Sequence, residues 1–107
     1  MGLSQLFTTL ASREDALGLA RDAVGARLAA CGQVVGPIAS VYRWRGAVEE
    51  APEFLLILKA PSERVDDLAA FVRERHPYET PEITTVASSL VDERYLAWAR
   101  AETGMDH

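Results

Sequence analysis

The sequence predicts an α+β fold of the ferredoxin-like kind, a βαββαβ split-βαβ sandwich with an additional C-terminal helix. Strand-like and helix-like patterns alternate in that order along the chain. The third strand pattern, Phe54-Leu55-Leu56-Ile57-Leu58, is almost continuously apolar, so both of its sides need cover. At 107 residues the chain has the length of one domain, taken as residues 1–107.

Leu3 to Leu10 is short, apolar and Thr-bearing, and reads as the first strand. Ser12 is placed as a helix N-cap with Asp15 three residues on. Leu17, Ala20, Val24, Leu28 and Cys31 then follow at helical spacing, and Gly32 is expected to end that helix. Ser40 to Arg45 alternates as the second strand, which puts Arg43 and Arg45 on one face. Val48 begins the return to the third strand, Glu53 to Lys59. Gly46 and the Glu49 to Pro52 stretch predict a long hairpin with an irregular tip or bulge. Pro61-Ser62 opens a second helix with Val65, Leu68, Ala69, Val72 and His76 on one stripe. Glu82 to Ser88 is the fourth strand, and Asp92 caps a last helix running to about Glu102. Two helices on one face leave the other face of the sheet bare, which calls for a second subunit.

Composition narrows the function. The net charge is −5 with 49% hydrophobic and 25% charged residues. Nucleic-acid affinity rests on clustered Lys and Arg, and the eleven here are scattered among acids, so no nucleic-acid partner is expected. A single cysteine excludes an internal disulfide and any CxxC motif, and a free thiol suits a reducing compartment. MGLSQLFTTL carries no basic leader and no apolar run reaches membrane-spanning length, so a soluble cytoplasmic protein without a membrane is expected. The glycines are isolated, no phosphate-cradling loop appears, and the chain contains no Asn, so an acylphosphatase-like enzyme is not supported. No catalytic residues are assigned.

Punctuation concentrates at RHPYETPE, residues 75–82. Pro77 forbids a further helical turn, so His76 is the last residue or cap of the second helix. The negative end of the helix dipole is expected to raise its basicity. Pro81 stands before the fourth strand, which makes the corner rigid and directs Tyr78, Glu79 and Glu82. As a structural corner this is already a complete account.

LAACGQV (28–34), SVYRWRGAVEE (40–50), FLLILKAPSERV (54–65), RHPYETPEI (75–83) and YLAW (95–98) together resemble the CutA1 family of divalent-cation tolerance proteins, from about Leu6 to Arg100. The resemblance implies a tight homotrimer whose neighbouring strands extend one another's sheets. It further implies a non-enzymatic role in divalent-cation tolerance, with Cu(II) or another divalent metal weakly bound. It also implies likeness to PII signalling trimers, so a sensor binding a small effector between subunits is the alternative.

The metal candidates come from matching that motif. His76 is the family's HPY histidine, and Cys31 its LAAC cysteine. Glu79, with Glu82 and Glu49, offers carboxylate oxygens. One imidazole needs two or three further donors. Where some relatives carry a first-strand cysteine this chain has Thr8, and where some carry a histidine before HPY it has Arg75. On a helix stripe Cys31 reads first as a small buried apolar residue and only second as a ligand. His107, the final residue, is set aside. Tyr42, Trp44, Tyr78, Tyr95 and Trp98 are expected chiefly as subunit-contact anchors.

Overall fold

The structure, a computed structural model, describes residues 2–105, so His107 lies outside the described residues. The elements are β1 (Leu3–Leu10), α1 (Arg13–Gly25), β2 (Cys31–Trp44), β3 (Ala47–Pro61), a 3-10 turn at Ser62–Arg64, α2 (Val65–Arg75), β4 (Thr84–Ala87) and α3 (Glu93–Glu102). The four strands lie in the order β2-β3-β1-β4 with every neighbouring pair antiparallel. This is the ferredoxin-like α+β arrangement.

Alternation along β1 and β3 sorts the sheet's two faces. Leu6, Thr8 and Leu10 pair across with Leu58, Leu56 and Phe54. The leucines of these rows meet Ala16, Leu19, Ala20 and Ala23 of α1 and Leu68 and Val72 of α2 in one buried cluster. The opposite face carries Phe7, Ile57 and Gln33 in one cross-strand row and Thr9, Leu55 and Val35 in the next. Only its end is covered: α3 packs Ala99, Tyr95 and Leu96 onto Leu3 and Ala30. Arginines complete that docking. Arg27 Nη1 donates to the Glu102 carbonyl at 3.1 Å, Arg64 Nη2 to the Thr103 carbonyl at 2.7 Å, and Arg100 pairs with Glu63 at 2.7 Å. Two of these contacts put cations on the carbonyl end of α3, where the helix dipole favours them.

Helix α1 is shorter than its apolar spacing predicts, and the reason is local. Arg27 takes the left-handed conformation, φ 60°. Its N–H then donates to the Val24 carbonyl and that of Leu28 to the Ala23 carbonyl, which is a Schellman stop. Helix α3 ends the same way with Gly104 at the left-handed position, φ 76°. Gly32 is therefore not the terminator. The Ala30 N–H already donates to the Lys59 carbonyl, and Cys31 and Gly32 belong to β2. The buried α1 stripe is Ala16, Leu19, Ala20 and Ala23, whereas Leu17 and Val24 sit off it.

The hairpin also differs from expectation. Its tip is a tight turn at Arg45 and Gly46, with φ 51° and 82°, the mirror-image geometry that suits two-residue hairpins. Arg45 thus leaves the strand and lies over the Trp44 ring, instead of sharing a face with Arg43. The irregularity sits lower, where Gly36 and Pro37 bulge out between Val35 and Ile38. Gly36 is needed there because a Cβ would fall 2.6 Å from the Phe54 ring. β1 pairs with β3 only over Phe54 to Pro61. Residues 38–53 therefore project as a two-stranded ribbon, and the long axis reaches 49 Å.

Thr8 is fully buried on the helix-covered face and its Oγ1 has no hydrogen-bond partner among the described residues. An unpaired buried hydroxyl costs about 1–3 kcal/mol. Thr8→Val, nearly isosteric, is expected to stabilise the fold by about 1–2 kcal/mol, or roughly 5 °C in Tm. A lower Tm by differential scanning calorimetry would count against the hydroxyl being unpaired.

Candidate functional site

The proline-framed corner sits where the sheet narrows. Helix α2 ends at Arg75 and His76 is its C-cap in extended geometry, as Pro77 requires. β4 pairs with β1 only as far as Phe7 opposite Thr84, so Thr9, still paired with Leu55 of β3, lies beyond the last β4 partner. His76 Nε2 lies 3.0 Å from that carbonyl oxygen. The Tyr78 backbone N–H donates to His76 Nδ1 at 3.1 Å, and the two rings tilt together with centroids 4.8 Å apart. The Tyr78 hydroxyl then donates to Glu53 Oε2 at 2.8 Å. Glu53 is the first β3 residue beyond the stretch that β1 supports, so this contact fastens the root of the ribbon.

Charge states follow from these surroundings. Burial lowers the His76 basicity, while the Thr9 carbonyl and the charges of Glu53 and Asp15 work the other way. The expected rise from the helix dipole is thus reversed, because desolvation of the cation outweighs it. Burial, the hydrogen bond to Glu53 and the nearby negative charge hold the Tyr78 hydroxyl protonated well above its ordinary range. Tyr95 shifts upward through burial and then its contact with Cys31.

The sequence-predicted metal candidates do not meet in one chain. Cys31 is half-buried in β2 opposite Lys59, in the cross-strand row of Gln5, beside Tyr95 of α3. His76 is anchored at Thr9, four residues further along β1, or about 13 Å of strand. Glu79 and Glu49 are exposed, and Glu82 is exposed with an oxygen accepting from the Thr84 hydroxyl at 2.9 Å. Among the described residues no three His, Cys, Asp or Glu side chains are grouped to hold a metal ion. A zinc- or copper-type site needs three or four donors. The described residues of a single chain do not fit one. Sequence reasoning missed Glu53 and Thr9: a partner made through a backbone carbonyl has no residue signature, and Glu53 read only as the start of a strand.

Among the described residues no helix is long and apolar enough to cross a membrane. The aromatics divide. Tyr42 and Trp44 are exposed on the ribbon, Tyr78 is half-buried in the corner, and the Tyr95 and Trp98 rings of α3 tilt together with centroids 5.4 Å apart.

Comparison with known proteins gives a consistent pattern. A family model described as CutA1 divalent ion tolerance protein matches residues 4–102. The human protein CutA is 38% identical over 101 residues, covering 94% of this chain and 56% of the relative, so the chain spans little more than half of that protein. The divalent-cation tolerance protein CutA of Thermus thermophilus is 38% identical over 96 residues, covering 90% of this chain and 93% of that one. Among solved structures, the periplasmic divalent cation tolerance protein CutA of Archaeoglobus fulgidus superposes with a TM-score of 0.90. It is 30% identical, and the match covers 94% of this chain and 98% of that one.

The lowered His76 basicity makes stability depend on pH. The unfolded chain binds the proton near the ordinary value of about 6.5, and the folded chain only at lower pH. The contribution is complete above about pH 6.5 and is lost as pH falls through the folded value. Thermal melts at pH 7.5 and pH 5.5 are expected to show a larger acid loss for wild type than for His76→Gln. Equal losses would remove His76 as the source. Tyr78→Phe, which strips the donor from Glu53, is expected to cost about 1 kcal/mol in denaturant unfolding.

Proposed function

The chain belongs to the CutA1 divalent ion tolerance family, and on that premise we propose that it serves divalent-cation tolerance, copper included, as a non-enzymatic homotrimer in the cytoplasm. The ribbon carries this reading. A two-stranded hairpin is marginal in water by itself, yet this one exposes Val41 at 63%, Val48 at 64% and Trp44 at 43%. The bare face bearing Phe7, Leu55, Ile57 and Val35 continues into it. A chain that presents such a surface is stabilised when copies of itself cover it. One domain, residues 1–107, then supplies one third of the assembly.

Among the described residues of one chain the donors fall short of a cage, so a cation would be held weakly, by oxygens drawn from more than one subunit. The acidic balance of −5 favours cations generally. A small-effector sensor of the PII kind is the second reading. It is favoured by an open groove of about 400 Å³ along the ribbon, lined by Pro37, Ile38, Ala39, Glu50, Ala51 and Pro52, which a neighbouring subunit would wall.

Sedimentation equilibrium at micromolar concentration is expected to give a three-chain mass for wild type. Val41→Glu combined with Trp44→Glu is expected to shift the protein to single chains. A folded wild-type monomer would overturn the homotrimer. A thermal-shift screen of nucleotides and metabolites at millimolar concentration separates the second reading, since a bound effector raises Tm and a non-binder does not.

A further inference from the structure

We infer that His76 is a positioning residue committed to the backbone, and is not the metal ligand that the family resemblance makes of it. The hydrogen-bond directions determine its tautomer. A backbone amide only donates, so Nδ1, facing the Tyr78 N–H at 3.1 Å, holds a lone pair and no proton. The one proton of the neutral ring therefore sits on Nε2. It points at the Thr9 carbonyl, which only accepts, at 3.0 Å. Both nitrogens are spent. A metal on Nε2 would displace the proton and set the cation in the place of a main-chain hydrogen bond. A metal on Nδ1 would leave the Tyr78 amide without its acceptor in a part-buried corner.

Access and company point the same way. His76 is 8% exposed and the Tyr78 ring tilts against it. Thr8 of β1 offers only a buried neutral hydroxyl, a poor partner for copper or zinc. The residue before His76 is Arg75, whose guanidinium lies 3.8 Å from the centre of the Phe71 ring. Cys31 belongs to the other end of the sheet.

What the ring does instead is join three elements. Nε2 secures the end of β1 and Nδ1 sets the backbone of Tyr78. From that backbone the Tyr78 hydroxyl reaches Glu53 at the ribbon root. These contacts lie within one chain, so the inference succeeds or fails separately from the three-subunit reading.

The test uses the full chain with His107→Ala, which leaves His76 as the one imidazole. CuCl2 and ZnCl2 are titrated calorimetrically into this protein and into its His76→Gln and His76→Asn derivatives. Gln retains a donor for the Thr9 carbonyl, and Asn retains an acceptor for the Tyr78 amide. Kd values within about twofold of one another, or no binding in any of the three, are expected. Long-range 1H–15N correlation of the ring is expected to report the Nε2–H tautomer and to stay unchanged on equimolar Zn(II). Exchange of the Tyr78 amide is expected to remain slow in His76→Asn and to quicken at least tenfold in His76→Leu. Tenfold weaker metal binding in both the Gln and Asn derivatives with native circular dichroism, or a Zn(II)-induced shift of the ring nitrogens, would overturn the assignment. So would a Tyr78 amide indifferent to the Leu substitution.

Discussion

β3 runs for 15 residues and β1 for only 8. That mismatch governs the molecule. Where β1 lies alongside, β3 is the middle of a sheet covered by two helices and buries Leu56, Leu58 and Ala60. Where β1 stops, β3 keeps a single neighbour, β2, and the pair continues as a ribbon whose apolar side chains face solvent. A strand buried at one end and exposed at the other is stable as a fold only if something fastens the transition. The exposed part also remains an adhesive surface.

The transition is fastened on both flanks of β3. In β2 the Gly36-Pro37 bulge bends the strand and lets the Phe54 ring approach the backbone more closely than a Cβ would allow. On the other flank the proline-framed corner delivers His76 to the Thr9 carbonyl and Tyr78 to Glu53. The corner's rigidity matters because a hydrogen bond to a fixed strand needs a donor held at a fixed distance. A flexible loop would lose much of that gain in ordering entropy. The conspicuous residues of the corner thus have a mechanical account in which no metal takes part.

The far end of the sheet is organised by different physics. Helix α3 is short and buries only Ala99 fully, so apolar contact alone supports it weakly. Arginines from the α1–β2 connection and the 3-10 turn compensate by holding its last carbonyls. Arg27 does so from a left-handed backbone that would ordinarily suit glycine, and that conformation also ends α1. One residue therefore stops one helix and anchors another.

Much of this was legible in the chain. The bounds of β1, the caps Ser12 and Asp92, the Leu68–Val72–His76 stripe and the stop at Pro77 all follow from local rules, because side-chain periodicity, capping oxygens and proline sterics act over a few residues. The family-specific landmarks were equally readable. The end of α1 was not, since Leu28, Ala29 and Ala30 keep helical spacing, and neither the left-handed turn at a non-glycine residue, Arg27, nor the hydrogen bond from the Ala30 N–H to the Lys59 carbonyl shows in the residue pattern. Cys31 changed element for the same reason. The ribbon's length depends on where a strand distant in sequence, β1, runs out. The state of His76 was decided entirely by tertiary structure: its pattern spoke for a helix end, but which nitrogen is protonated, and whether burial or the dipole prevails, depends on carbonyls and amides brought to it by folding. Main-chain groups carry no residue signature, so the sequence determined the order of the elements and the proline stop of α2, while long-range backbone contacts decided what the corner's chemistry is used for.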